Sequence, residues 1–163
     1  AIARYLYNVM HSADDVKMIV FSQYENSLIN LSEALEDIDP DTFEDQIVSC
    51  KGNVHARTKQ LDKFTRTGPD AARILLLSLK NAASGTHLAV ATHVVLLDPV
   101  AGSEGEARAT DAQAIARAHR LGQEEPVVAI RFIVMDTIDQ KDYENAYGAV
   151  VVPRGLGPKS ARK

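Results

Sequence analysis

Three short runs of nearly uninterrupted apolar residues limit how this chain can fold: Lys17-Met-Ile-Val-Phe21, Arg73-Ile-Leu-Leu-Leu-Ser78 and His93-Val-Val-Leu-Leu97. A strand with one wet face alternates apolar and polar residues. A run that is apolar at every position has both faces covered, as in a parallel sheet held between helices. The last two runs are therefore expected to be central strands.

Helical patterns separate these runs. Ile2, Leu6, Val9 and Met10 recur at helical spacing ahead of the first run, and Leu28, Leu31 and Leu35 form one stripe behind it. Ser22 stands three residues before Glu25, the spacing of a capping box, so the second helix is expected to start there and reach about Asp37. Asp39-Pro-Asp41 breaks the pattern, Gln46 to Ser49 reads as a strand, and Asn53 can cap a helix with Arg57, Leu61 and Phe64 on one face, closed by Gly68-Pro69. A polar, Gly-containing stretch from Val100 to Thr110 reads as loop. A helix from about Asp111 to Leu121, closed by Gly122, should follow it, then a strand from Val127 to Val134 and a helix from Ile138 to Tyr147. The alternation predicts an α/β fold, a doubly wound parallel sheet whose ligands meet the carboxyl ends of the strands. Residues 1–147 read as one domain and 148–163 as a Gly/Pro/basic tail or linker.

Several classes of function are disfavoured at once. No apolar stretch approaches the ~20 residues of a membrane-spanning helix. One cysteine, Cys50, cannot form an internal disulfide, and His87, His93 and His119 are too dispersed for a metal site, so the reading is intracellular and metal-free. The chain opens without Met inside a helical pattern, as expected of a piece of a longer polypeptide. A net charge of −4 argues against a free-standing nucleic-acid binder and confines any such contact to local patches. The basic residues of the tail, Arg154, Lys159, Arg162 and Lys163, fit a solvated terminus better than a DNA-binding arm. Neither a Gly-x-x-x-x-Gly-Lys-[Ser/Thr] loop nor a strand-linked Gly-x-Gly-x-x-Gly occurs, so the chain has no phosphate cradle of that kind, and no Gly-x-Ser-x-Gly elbow supports a hydrolase triad.

Two sets of side chains could carry chemistry. Gln113, Arg117 and Arg120 are spaced by four and three, which on one helix points two guanidiniums the same way, an arrangement suited to a transferring phosphoryl group. A solvated helix with ordinary salt bridges gives the same spacing, and Thr110 with Gln113 could be its capping box. Lys59, Lys63 and Arg66 make a basic stripe that could follow a phosphate backbone or merely face water.

The segment Asp111-Ala-Gln-Ala-Ile-Ala-Arg-Ala-His-Arg-Leu-Gly-Gln123 closely resembles motif VI of the SNF2-family helicase-like ATPases. Lys17 to Gln23 resembles motif IV, Gly52 to Phe64 the following Gly…Arg…Phe segment, Leu76 to Leu88 motif V, and Val127 to Ile138 the strand after motif VI, all in the family's order. The resemblance implies a second RecA-like lobe of a double-stranded DNA translocase in chromatin remodelling or DNA repair, acting in the nucleus on naked or nucleosomal DNA. ATP with Mg would be held mainly by an N-terminal RecA-like lobe of the same polypeptide, so this chain alone is expected to be inactive. It further implies that Arg117 and Arg120 are arginine fingers, that Gln113 and Gly85 lie near the nucleotide, and that Ser78, Lys80, Arg57 and the basic stripe face DNA. Motif V departs from the family, with Asn81-Ala82-Ala83-Ser84 before Gly85 and His87 for a usual Asn. Val100 to Ala109 stands where the family has a Trp-Asn-Pro element and is expected to lengthen the loop. This drift resembles the branch that carries RING-type ubiquitin-ligase modules. An RNA-tracking lobe, or a scaffold that kept the fold without the coupling, are the readings from other classes.

Overall fold

The computed structural model describes residues 1–81, 88–119 and 126–150. Its strands β1 (Met18–Ser22), β2 (Ile47–Ser49), β3 (Ile74–Ser78), β4 (His93–Leu96) and β5 (Val128–Arg131) form one sheet in the order β2-β3-β1-β4-β5. Every pairing is parallel, with Met18 opposite Ile74 on one side of β1 and opposite His93 on the other. The three apolar runs are the three interior strands. All five residues of β1 and of β3 are buried, whereas the edge strand β5 is largely exposed. This is the expected doubly wound α/β fold.

Among the described residues the helices are α1 (Ile2–Met10), α2 (Glu25–Glu36), α3 (Pro40–Phe43), α4 (Val54–Thr65), α5 (Glu104–Ala118) and α6 (Ile138–Tyr147), with a 3₁₀ turn at Leu79–Asn81. Alternate residues of each interior strand point to opposite faces and so feed two cores. On one face Leu6, Met10, Leu28, Leu31, Leu35 and Phe43 from α1, α2 and α3 cover Met18, Val20, Ile74, Leu76 and Val95. On the other, Phe64 of α4, Ala114 and Ala118 of α5, and Leu88 cover Ile19, Phe21, Leu75, Leu77, Val94 and Leu96. Each large side chain buried this way contributes about 1.5–3 kcal/mol. Truncating the wholly buried Leu35 to Ala would cost about 2–5 kcal/mol, since a cavity adds to the lost transfer energy.

Local chemistry departs from the sequence reading in several places. Asp39-Pro-Asp41 starts α3 instead of only interrupting the pattern. The Asp39 carboxylate accepts from the Thr42 N–H (3.2 Å) and hydroxyl (2.8 Å), and Pro40 takes a first-turn position where no N–H is needed. Asn53 caps α4 as expected, accepting from the Ala56 N–H at 2.9 Å, and Gly52 makes the turn before it with φ 87°.

Helix α5 starts at Glu104, not Asp111. Its capping box is Ser103 with Glu106: the Ser103 hydroxyl accepts from the Glu106 N–H (3.4 Å), and the Glu106 carboxylate accepts from the Ser103 N–H (3.1 Å). The Ser103 hydroxyl, 2.7 Å from the Glu106 carboxylate, and then the Ser103 N–H hold the Glu106 carboxyl below the usual glutamate range by donating to it. Thr110 lies inside the helix and donates to the Glu106 carbonyl, so the box proposed at Thr110 and Gln113 does not form. The two glycines at 102 and 105 suggest loop, but an interior Gly costs only about 1 kcal/mol and a good box offsets that. Val100 to Ala109 is therefore largely helix and not a lengthened loop. The helix ends at Ala118, with His119 extended (φ −94°, ψ 125°), so the one-face argument holds for Gln113 and Arg117 only; Arg120 and the Gly122 cap lie outside the described residues.

Candidate functional site

In a doubly wound sheet, ligands gather where neighbouring strands send the chain to opposite faces beyond their carboxyl ends. After β1 the chain turns into α2 on one face. The strands flanking it, β3 and β4, lead to Leu79, Leu88 and α5 on the other. Strand β1 thus has a crevice on each side.

The crevice between β1 and β4 is closed. Ser22 does not cap α2 with Glu25; it is the buried last residue of β1, and its hydroxyl donates to Asp98 and accepts from the Tyr24 N–H at 2.9 Å. Asp98 also accepts from the Gln23 N–H (3.0 Å), and the Gln23 side-chain amide donates to the Pro99 carbonyl (2.6 Å). These bonds tie the start of α2 to the loop after β4.

The crevice between β1 and β3 is open, a recess of about 520 Å³ lined by Gln23, Tyr24, Glu25, Asn26, Ser78 and Lys80. Three features make it attractive to an anion. Helix α2 begins at Tyr24, and no side chain caps it, so first-turn N–H groups and the positive end of the helix point at the recess. Ser78 is 5% exposed, and its hydroxyl is buried without a hydrogen-bond partner. Leaving such a group unmatched costs about 1–3 kcal/mol, a cost that a bound acceptor removes. Lys80, exposed on the 3₁₀ turn, adds an ammonium. Glu25 opposes an anion with its own charge. It is exposed and therefore screened, whereas the N–H groups and Ser78 hydroxyl are fixed in place.

Ser49, Cys50 and Lys51 form a notch beside the recess that also touches Glu25 and Ser78. Burial pushes the Cys50 thiol up, and the Arg57 guanidinium pulls it the other way, which puts Arg57 within electrostatic reach of this notch. The rest of the basic stripe leads away. Lys59 is exposed, Lys63 pairs with Asp45 at 3.3 Å, and Arg66 lies just past the end of α4. The Arg66 carbonyl accepts from Lys17, which precedes β1 at the amino ends of the strands, opposite the recess.

On α5, Gln113 is exposed and Arg117 half-buried, four residues apart on one face. The Arg117 carbonyl accepts from the Leu88 N–H at 3.1 Å. The segment that leaves the recess at Ser78 therefore arrives at Leu88 against the end of α5. Gly85, within that segment, and Arg120 lie outside the described residues. Among the described residues no group of three His, Cys, Asp or Glu side chains could hold a metal ion, and no helix is long and apolar enough to cross a membrane.

The sequence reading missed the open start of α2, the Asp98 latch and Asp111, which is buried in α5. Asp98, directly after an apolar strand and before Pro99, was the one legible hint of the latch. The missing cap at Tyr24 becomes visible only once Ser22 is known to point elsewhere.

Residues 1–122 match the model of the helicase conserved C-terminal domain. The chain belongs to that family. Among curated relatives of this helicase domain, it is 36% identical over 138 residues to the DNA (cytosine-5-)-methyltransferase DMT5 of Cryptococcus neoformans (83% of this chain, 6% of that protein). It is 33% identical over 138 residues to the DNA repair protein rad8 of Schizosaccharomyces pombe (83% of this chain, 11% of that protein). It is 31% identical over 141 residues to the human E3 ubiquitin-protein ligase SHPRH (86% of this chain, 8% of that protein). The domain thus spans about a tenth or less of the length of these relatives. They bear out the SNF2-type resemblance and its leaning toward the ubiquitin-ligase-linked branch. A crystal structure of the C-terminal part of the Fun30 ATPase domain has the same fold, with a TM-score of 0.69 and 24% identity over 91% of this chain and 46% of that one.

Proposed function

We propose that this domain is the DNA-tracking and ATP-completing half of an SNF2-type, ATP-dependent double-stranded DNA translocase of the nucleus, acting in DNA repair or chromatin remodelling. The observation that carries the reading is the open recess between β1 and β3. An uncapped helix start, an orphaned buried hydroxyl and a lysine converge there on a space where a backbone phosphate would satisfy all three. Arg57 and Lys59 extend that path, and Lys63 and Arg66 would be its weakest members.

ATP with Mg belongs mainly to an N-terminal RecA-like lobe of the same polypeptide, because this chain has no Walker-type phosphate loop. Hydrolysis supplies the free energy for movement. The contribution of this lobe is to bring Arg117 and Arg120, with Gln113 and Gly85 beside them, against the phosphates once DNA is engaged. The chain from Ser78 to Leu88, joined to the Arg117 carbonyl, is the physical link between track and nucleotide.

The recess is tested with Ser78→Ala and Lys80→Gln in the intact polypeptide. Removing an orphaned hydroxyl should leave the melting temperature unchanged or raise it, while duplex affinity falls. Losing Lys80 should lower the slope of log affinity against log salt by about 1. Ordinary duplex binding in both variants would refute the site. ATP hydrolysis stimulated by single-stranded RNA and not by duplex DNA would move the protein to the RNA-tracking class.

A further inference from the structure

Helix α5 buries Ala107, Asp111, Ala114 and Ala118 as a single stripe at helical spacing; Ala114 and Ala118 join the core against the sheet, with Ile115 packed beside them. Three of the four are alanines. Alanine lets a helix approach closely but offers a smooth surface with little to resist rotation or sliding. The fourth is a carboxylate, 5% exposed, where another alanine would have served burial at less desolvation cost.

Asp111 has two partners from outside its own helix. It accepts from Arg131 Nε (3.2 Å) on the edge strand β5 and from the Tyr147 hydroxyl (2.6 Å) on α6. The Arg131 guanidinium also lies 5.2 Å from the centre of the Tyr147 ring. Arg108, one turn earlier on α5, lies 5.5 Å from that centre and donates to the Ala146 carbonyl at 2.6 Å. Burial, followed by the bond to Asp111, pushes the Tyr147 phenol up and keeps it a donor. Charged and directional contacts therefore fix α5 against two other elements.

We propose that Asp111, through Arg131 and Tyr147, is a positioning residue that sets the rotation of α5 and thereby the placement of Arg117. This rests on reading Arg117 as a phosphate-facing group. Arg117 is less than two turns from Asp111 on the same rigid helix, so a rotation at one is transmitted to the other. A turn of about 20° moves a side chain at the ~5–6 Å helix surface by about 2 Å. Misplacement by ~1 Å can cost ~10²-fold in rate. An apolar stripe would hold the helix on the sheet; the carboxylate decides which way its other faces point.

The test uses the intact polypeptide with Asp111→Asn and with the apolar triple variant Asp111→Ala, Arg131→Leu, Tyr147→Phe. Melting temperature is measured together with kcat and KM for DNA-stimulated ATP hydrolysis, well below every midpoint. Asp111→Asn should lower both stability and kcat. The triple variant should recover stability, because a buried ion pair can be replaced by apolar groups without loss. Its kcat should stay ~10²-fold down, because the Arg108 bond and the packing of Ile115 hold the helix in place without the carboxylate that sets its rotation. Turnover that returns in step with stability would make the network a plain stabilising element and overturn the proposal. If the triple variant does not fold, Tyr147→Phe, which keeps the ion pair, should show a smaller drop in kcat at near-normal melting temperature; unchanged kcat there overturns it equally. An unaltered protein without DNA-stimulated hydrolysis would sink the proposed function itself. Amide exchange would then decide the inference alone: Asp111→Asn should speed exchange across 104–118 while leaving 54–65 unchanged, and equal rates in both would refute it.

Discussion

The two crevices beside β1 are set up by the same reversal of the chain, yet one is filled by the protein and the other left open. Between β1 and β4, Asp98 takes the Ser22 hydroxyl and the Gln23 N–H, and the Gln23 amide meets the Pro99 carbonyl. Between β1 and β3, the position matching Ser22 is Ser78, whose hydroxyl has no partner. Both serines are the last residues of buried strands and stand opposite each other in register. What separates them is the next strand over, which supplies an acceptor on one side and none on the other. Topology nominates a ligand site, and the unmatched group decides which nomination stands.

The largest expected effect concerns the nucleotide and marks the limit of what the crevices explain. Arg120→Ala or Arg117→Ala in the intact protein should cut DNA-stimulated ATPase by about 10³–10⁵, with nucleotide-free DNA binding intact. Lys at either position should also be slow, lacking the planar fork, while the melting temperature stays put. Near-normal hydrolysis in these variants would remove the fingers from the account.

Asp98→Ala should convert the closed crevice into a second open one. With the Gln23 N–H unmatched and the wholly buried Ser22 hydroxyl left with the Tyr24 backbone alone, stability should fall by about 1–3 kcal/mol, read by urea unfolding. A neutral result would mean that the latch does not separate the crevices. A milder change closes the open crevice from within. Tyr24 has the extended backbone of an N-cap residue (φ −111°, ψ 115°) but an unsuitable side chain. Tyr24→Ser should stabilise α2 by about 0.5–2 kcal/mol and weaken duplex binding, because the new hydroxyl takes an N–H that the proposed phosphate site would use. Stronger binding with the cap in place would break the comparison. The smallest effect is expected on α4: replacing Lys59, Lys63 and Arg66 together by Gln should flatten the salt dependence of binding less than Lys80→Gln alone, since Lys63 is already paired with Asp45.

The sequence by itself determined the layered fold. Runs apolar at every position read as strands covered on both faces, and this picked out β3 and β4 as central and β1 as a buried strand. Motif wording pointed to the family as firmly, because order and spacing along the chain carry it. Tertiary structure alone decided everything that depends on which group finds which partner. Whether Ser22 caps a helix or meets Asp98 depends on a residue 76 positions away. Where α5 begins depended on Ser103 and Glu106 outweighing two glycines, and Asp111, in the sequence only the first residue of the motif VI segment, is buried with Arg131 and Tyr147 as partners. Periodicity reports faces, which follow from local geometry. Hydrogen-bond satisfaction is a property of the whole assembled sheet, and the site is made of what that assembly leaves unsatisfied.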